Sequence, residues 1–448
     1  MEAIRQWIRW SNVSTNRKIL SATLVIAALT FGAKLVSTGK ELVVAASFGT
    51  GDAIDAFLVA FLVPSLAITV ISGSFNAAFI PTYVQVRERE GKDAAQRLLS
   101  NVLAWSALLL GAATFVIVIA APYYLPLLAS GFSPEKLSET RKLLYLLSPI
   151  VVITGINTIW SAVLNADEEF ALVALTPALT PFVVMAFLLV ARDWGITALT
   201  VGTALGLALE AGIICRALVN KQISPWPRWK KADAHLKRVL GQYLPMISGA
   251  FILASTSLIN QAMAAMLGSG SVAVLSYANR LITVPISIGT TALGTAVIPY
   301  FSVMVAKNDW AGIRHTLRRY FGLIFCAAIP VTVALVLGAE SLVRIVYQRG
   351  AFTAEDTHVV ARVLALFALQ LPFYTAGILL VRLISAMLAN HILMIANVIS
   401  VALSVALNYL FMKRLGVAGI ALSTSCVYLA SFLFLLFAWK RLGEGSCR

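Results

Sequence analysis

Charge is what this chain has least of. Of its 448 residues only 12% are Asp, Glu, Lys or Arg, whereas 59% are hydrophobic. A soluble domain draws roughly a quarter of its residues from the charged set, so too little polar surface is available to cover a water-soluble globule of this size. A soluble enzyme and a disordered protein are excluded on that ground. Cysteine is sparse as well: Cys215, Cys326, Cys426 and Cys447. Three of the four sit in apolar stretches, and no CxxC or Cys/His metal spacing exists, which excludes a disulfide scaffold and a zinc module. The four histidines, His235, His315, His358 and His391, are scattered, so no metal site is expected. There is no Ser/His/Asp order, no phosphate-binding glycine loop and no nucleotide-binding domain, and the chain is not expected to be an enzyme.

The sequence is rich instead in long apolar runs. Stretches of about 20 apolar residues cover 19–38, 55–79, 99–121, 143–165, 171–191, 195–217, 239–267, 272–302, 320–339, 359–387, 391–412 and 416–438. They are continuous rather than alternating, which argues against a β-barrel. The expectation is an all-α polytopic membrane protein with about 12 transmembrane helices. The segment before the first run carries Arg5, Arg9, Arg17 and Lys18. The first run itself lacks an A-x-A-like cleavage site and is too long for a signal peptide, so it reads as a retained helix.

Basic residues set the orientation. With the amino terminus inside, 21 of the 35 Lys and Arg fall in cytoplasmic segments, 9 fall on the opposite side and 5 lie within spans. Both termini are therefore expected in the cytoplasm, the protein being multi-pass in a bacterial cytoplasmic (inner) membrane. The net charge of +15 then meets anionic lipid headgroups, and no nucleic-acid partner is needed. Asp167-Glu168-Glu169 is the discordant inner loop, and it reads as a solvated turn.

The chain also repeats. Phe48-Gly49-Thr50-Gly51 returns as Leu267-Gly268-Ser269-Gly270, Pro64 as Pro285, and Ala78-Phe79-Ile80-Pro81 as Ala296-Val297-Ile298-Pro299. Gly131-Phe132 returns as Ala351-Phe352, and Ser161-Ala162-Val163-Leu164 as Ser385-Ala386-Met387-Leu388, all at offsets between 218 and 224 residues. Six spans per half is an even number, so the two halves keep one orientation and form a parallel repeat. The expected organisation is a cytoplasmic segment over 1–18, a six-helix lobe over 19–217, a basic linker over 218–238, a second six-helix lobe over 239–438 and a cytoplasmic tail over 439–448. Within the linker, Pro225-Trp226-Pro227-Arg228-Trp229-Lys230-Lys231 reads as an interfacial segment. Two such lobes imply a central cavity and alternating access, with Pro64 and Pro285 as matched hinge candidates.

Charges inside spans are the candidate site residues, because each costs about 2.5–3.5 kcal/mol at a helix centre. They are Arg280 with its neighbour Asn279 in the eighth span, Lys34 in the first with Lys40 and Glu41 at its end, and Asp55 opening the second. All fall in the outer half of the membrane in this topology, and spans 1, 2 and 8 would present a mostly cationic patch to one cavity. Lys34 and Glu41 are seven apart and share a helix face, which allows them to pair. Arg216, Arg362 and Arg382 lie nearer span ends, where snorkelling explains them. Glu210 is a lone acid in the sixth span. A cationic, water-accessible cavity without an ATPase suits an anionic or amphipathic substrate, since Arg and Lys bind phosphate through charge-assisted hydrogen bonds.

At these residues the sequence resembles the MurJ/MviN family of the multidrug/oligosaccharidyl-lipid/polysaccharide exporter superfamily, over most of 28–440. The resemblance rests on Phe48-Gly49-Thr50-Gly51 through Asp55-Ala56-Phe57, on Val59-Ala60-Phe61 and Pro64, and on Gly73, Phe75 and Ala78-Phe79-Ile80-Pro81. In the second half it rests on Ser269-Gly270-Ser271-Val272, Tyr277-Ala278-Asn279-Arg280-Leu281, Pro285, Ala292-Leu293-Gly294-Thr295 and Gly350-Ala351-Phe352-Thr353-Ala354. The resemblance implies a flippase for lipid-linked glycans. Lys34 and Lys40 stand where the family has two first-helix arginines, Asp55 is the acid opening helix 2, and Arg280 is the cavity arginine of helix 8. Asn279 and Thr283 replace acids, and Ile68 and Thr69 replace an arginine pair. Twelve spans stand against the family's usual fourteen, and spans 7, 11 and 12 carry no Asp or Glu for the family's sodium site.

The function expected from the resemblance is therefore movement of a polyprenyl-diphosphate-linked glycan, either lipid II-like or an exopolysaccharide or O-antigen repeat unit, from the inner to the outer leaflet. Lys34 and Arg280 would hold phosphate, and Asp55 would hold Arg280 or Lys34 when the site is empty. No cofactor is expected beyond the membrane potential or a coupling ion. The partners are the glycan lipid, membrane lipid and, as a further candidate, glycan synthesis enzymes. Two other readings stand beside this one. One is an H⁺- or Na⁺-coupled drug or metabolite antiporter of the same superfamily, exchanging at Asp55 or Glu210. The other is a non-transporting scaffold for glycan synthesis.

Overall fold

The computed structural model describes residues 15–228 and 234–445. The amino-terminal segment before Thr15, the Trp229-Lys230-Lys231 part of the linker and the final three residues with Cys447 lie outside the described residues. Among the described residues there is no strand. The helices, numbered here in chain order, are α1 (Thr15–Phe48), α2 (Asp52–Ala67), α3 (Gly73–Glu90), α4 (Lys92–Leu128), α5 (Pro134–Leu147), α6 (Ile150–Ala166), α7 (Phe170–Leu175) and α8 (Leu179–Val190). They continue as α9 (Ile196–Asn220), α10 (Ala234–Ala265), α11 (Ser271–Ala306), α12 (Trp310–Tyr347), α13 (Ala354–Ala368), α14 (Leu371–Ala386), α15 (Asn390–Leu415) and α16 (Val417–Gly445).

The twelve apolar runs fall largely on helix, with breaks inside 143–165, 171–191 and 359–387. Nine helical stretches among the described residues are long and apolar enough to cross a membrane, and Gly249–Ala265 is a shorter apolar one. Helix is the form such a run must take, because every backbone N–H and C=O in lipid has to be satisfied within its own segment. At about 1.5 Å per residue, the 37 residues of α4 and the 38 of α12 outreach a hydrocarbon core of about 30 Å. Their ends therefore stand clear of it. Large apolar side chains such as Leu127, Leu337 and Val190 are more than four-fifths exposed, as lipid-facing residues should be.

Prolines mark the bends. Pro64 sits inside α2, and four residues on the helix widens into a π-turn over Ile68–Ser72. A carbonyl released there, that of Ile71, accepts the Tyr243 hydroxyl at 3.0 Å. Pro285, by contrast, lies in α11 without interrupting it. The two halves break a long helix in the same way: α5 gives way to α6 at Ser148-Pro149, and α13 to α14 beside Pro372.

The chain forms two compact units. One takes in the chain up to Ser47, Ala60–Pro122 and Thr140–Ala250; the other takes in Phe48–Val59, Tyr123–Glu139 and everything from Phe251 onward. The boundary thus falls inside α2, between Val59 and Ala60. The first unit has a core of Phe79, Leu98, Leu99, Val102, Val163 and Leu218 among others. Its α8–α9 hairpin is drawn close by Gly202 and Gly206: a side chain at Gly206 would meet Thr180, and one at Gly202 would meet Val184 and Phe187. That is small-residue packing of the kind that brings two helix backbones together in lipid. The second unit is built on Phe301, Ile313, Leu317, Leu379, Leu383 and Phe432.

Candidate functional site

Among the described residues Asp55 is the most deeply buried charge. It lies one turn into α2, behind the tight turn at Gly49, whose φ of 55° is in the left-handed region that glycine tolerates. The carboxylate is fully buried. Its two oxygens accept the N–H of Gly270 at 2.8 Å and the N–H of Ala273 at 2.8 Å, the first donors of α11. A helix start leaves four such N–H groups without intrahelical partners and carries a partial positive charge. Asp55 supplies both the acceptor and the compensating charge from a different helix. Lys136 of α5 completes the arrangement, reaching Asp55 at 3.1 Å and Asp52 at 2.5 Å, with its ammonium 3.8 Å from the centre of the Phe132 ring.

This corrects one expectation. The sequence pointed Asp55 towards Arg280 or Lys34, and the structure gives it to Lys136 and a helix start. Lys136 does not stand out in the sequence because it lies in a basic loop segment rather than within an apolar run, and ion pairs of this separation leave no sequence period. The one available signal is an acid, Asp55, buried in an apolar stretch and needing some partner.

The motifs that carry the resemblance converge here. The Gly49 carbonyl accepts the Tyr277 hydroxyl at 3.1 Å, and the Thr50 hydroxyl donates to Asp356. Asp356 in turn closes a capping box with Thr353 at the start of α13. A Cβ at Gly49 would press on the carbonyl oxygen of Ala351, and one at Gly270 on that of Thr50. The glycines are there because backbone meets backbone. Tyr277 stacks with Tyr347 and Phe352, ring centres 5.0 and 5.6 Å away.

Arg280 is half-buried on α11 and lies within electrostatic reach of Tyr347. Its neighbour Asn279 lines a cavity of about 320 Å³ inside the second unit, between α10, α11, the α13–α14 junction and α16. Among the described residues the lining carries no charged side chain; Asn260, Gln261, Ser276, Gln370, Tyr374 and Tyr428 share it with the apolar Leu275, Ile286 and Phe367. The expectation from sequence is a cationic chamber, with Asn279 singled out only as the neighbour of Arg280. Polar residues at helical spacing, Thr256, Ser257, Asn260 and Gln261 on α10 and Ser276, Asn279 and Thr283 on α11, are the signal for this pocket. Beside it, Asn260 Oδ1 accepts from Asn408 at 2.7 Å and Ser404 at 3.2 Å, and its amide donates to Thr424 at 3.3 Å. Neutral amides and hydroxyls thus bridge α10, α15 and α16. Among the described residues no group of three His, Cys, Asp or Glu could hold a metal ion.

The remaining candidates lie in the first unit. Lys34 is exposed on α1, and Glu41 pairs at 2.7 Å with its chain neighbour Lys40, where the helix-face argument offered Lys34. Glu210 is buried, one helical turn beyond Gly206, and accepts the N–H of Thr180 at 3.2 Å. The Asp167-Glu168-Glu169 loop is not simply a solvated turn. Arg87 donates to Asp167 at 2.6 Å and to the carbonyl of Ala166 at 2.9 Å, and Lys221 pairs with Glu169 at 2.8 Å. Burial, with the negative charge of Asp167 alongside, pushes the Tyr83 phenol up to about 12.

Residues 44–445 match the profile of one protein family, described as the lipid II flippase MurJ. The chain belongs to that family. It is 29% identical over 415 residues to a probable lipid II flippase MurJ of Rhizobium tropici, covering 89% of this chain and 77% of that protein. It is 27% identical over 441 residues to a probable lipid II flippase MurJ of Synechocystis sp., covering 95% and 82%. Its fold matches a lipid II flippase MurJ in an inward closed conformation with a TM-score of 0.79 at 23% identity, over 93% of this chain and 87% of that one. It also matches an inward-facing multidrug resistance MATE family transporter of the MOP superfamily at 0.76 and 14% identity, over 94% and 98%. As a MurJ family member the chain is a multi-pass membrane transporter, not an enzyme.

Proposed function

We propose that this protein moves a polyprenyl-diphosphate-linked glycan, with lipid II as the foremost candidate, from the inner to the outer leaflet of the bacterial cytoplasmic membrane, both termini being cytoplasmic. The observation that carries the reading is the family match over 44–445. An exopolysaccharide or O-antigen repeat unit shares the same diphosphate and prenyl chemistry and is the finer alternative. In this reading Arg280 holds the diphosphate, with Lys34 as the second phosphate-holding candidate, and the prenyl tail stays in lipid. Asp55, Lys136 and the start of α11 fasten one another within the second unit, and Pro64 and Pro285 are the hinge candidates. An inside-negative membrane potential favours outward movement of the anionic diphosphate by about 2.3 kcal/mol per charge per 100 mV, so no nucleotide is required.

The test is complementation. In a strain depleted of its own lipid II flippase, the wild-type gene should restore growth. Arg280→Ala should fail to do so at unchanged membrane abundance. Growth restored equally by Arg280→Ala removes the arginine from the mechanism, and no rescue by the wild type points to another glycan lipid. The likeness to a multidrug transporter fold keeps an antiporter as the second reading. It predicts cation-driven efflux of a cationic drug from vesicles, which a glycan flippase does not perform.

A further inference from the structure

With the π-turn between them, α2 and α3 form one helical rod from Asp52 to Glu90. Its one irregular turn, Ile68–Ser72, follows Pro64 by a single helical turn. Proline removes an intrahelical donor, and a π-turn puts the neighbouring carbonyls out of line. Such a stretch has more than one bend open to it unless a group outside the helix fixes the angle. That group is Tyr243 of α10. Its hydroxyl donates to the Ile71 carbonyl at 3.0 Å. The residue is 4% exposed and lies with Leu236 and Val239 in the core of the first unit, against which Ile71 also packs. A ring that only filled space would need no hydroxyl, and a buried hydroxyl has to find an acceptor. Here the acceptor is in the irregular turn of the rod. The place in the chain matters as well. Both α2 and α10 run from one compact unit into the other, α2 between Val59 and Ala60 and α10 between Ala250 and Phe251. Ile71 and Tyr243 both belong to the first unit, so the bond ties two connecting helices together inside one unit.

We propose that Tyr243 is a positioning residue that sets the bend of α2. Its hydroxyl pins the π-turn, so that the stretch from Pro64 to Ser72 keeps one angle, and transport depends on that angle being kept. The ring and the hydroxyl have separable tasks: the ring packs the core, and the hydroxyl fixes the bend. Removing the hydroxyl alone leaves the core filled and lets the rod sample other angles, by a factor of about five in population for one neutral hydrogen bond. Its part in transport rests on the flippase reading. The pin itself does not depend on which substrate is carried.

The experiment is dipolar EPR on the full-length protein in nanodiscs, with the native cysteines replaced by alanine. Spin labels are placed at Ala53→Cys and Glu90→Cys, at the two ends of the rod, at most about 55 Å apart at 1.5 Å per residue. The parent should give one narrow distance. Tyr243→Phe should broaden it or add a second distance, while its thermal midpoint stays close to the parent's. Tyr243→4-aminophenylalanine, whose N–H donates from the same place, should restore the narrow distance. An unchanged distribution in Tyr243→Phe, whether or not the midpoint falls, reduces Tyr243 to packing and overturns the pin. Transport is read separately, as outward movement of a fluorescent polyprenyl-diphosphate disaccharide in proteoliposomes. Tyr243→Phe should lower the maximal rate about fivefold and leave the half-saturating concentration unchanged. A broadened distance with an unchanged rate overturns the positioning role. If the wild type moves no disaccharide, the flippase reading fails, and the distance measurement, which needs no substrate, still decides the pin.

Discussion

Asp55 and Lys136 stand 81 positions apart in the chain and form a buried ion pair, with the carboxylate oxygens also accepting two N–H groups at the start of α11. The pair is asymmetric in its surroundings. The carboxylate has three donors, whereas the ammonium has two carboxylates and a ring. Asp55→Ala should therefore lower stability by about 3–5 kcal/mol, the usual effect of stranding one member of a buried pair. Lys136→Met should cost less, about 1–3 kcal/mol, because Asp55 keeps its two backbone donors. Exchanging the two, Asp55→Lys with Lys136→Asp, should not restore stability, since a helix start favours an anion and opposes a cation. Thermal unfolding of the purified protein checks all three.

Gly270 and Gly91 both adopt positive φ, at 79° and 89°, but only Gly270 has backbone against the place where a Cβ would go. Gly91→Ala should cost no more than the left-handed conformation itself, about 1–2 kcal/mol. Gly270→Ala should cost clearly more, because the Thr50 carbonyl has to move as well. A comparison of melting midpoints decides it.

Glu210 serves the α8–α9 hairpin as a hydrogen-bond acceptor for Thr180. Glu210→Gln retains that acceptor and should keep both stability and transport near wild type. Glu210→Leu leaves the N–H without its partner and should cost about 1–3 kcal/mol. If Glu210→Gln folds normally yet abolishes transport, the carboxyl is handling protons and the structural assignment fails.

Asp167 offsets Arg87 on a loop that otherwise breaks the charge pattern. The two side chains are each about one-fifth exposed, so Asp167→Asn should cost at most about 1 kcal/mol. It should also leave the topology unchanged, since acids contribute little to orientation. Cysteine-accessibility labelling of the neighbouring loop reads the topology, and thermal unfolding reads the rest.

The helices were legible because lipid demands an unbroken apolar run and a self-satisfied backbone, and both leave their mark on composition. The matched glycine turns at 48–51 and 267–270 were legible too, because a backbone contact that forbids a Cβ repeats as a letter. Asp55 could be picked as an acid in an apolar setting, but not its partner, because Lys136 is an ordinary loop lysine until the chain folds. The pocket around Gln370 was hidden for another reason. Its polar residues come singly from four stretches of helix, and each alone is a common interior amide or hydroxyl. Only the stripes on α10 and α11 hinted that they shared a wall.

The first turn of α11 is gripped by Asp55, and Arg280 rides on the same helix seven residues beyond Ala273. About two turns of continuous rod join them, with no joint in between. A pull on the guanidinium is therefore carried along one unbroken helix to the Asp55 grip. With Arg280 as the proposed phosphate-holding residue, cargo and grip would be joined by a single rod.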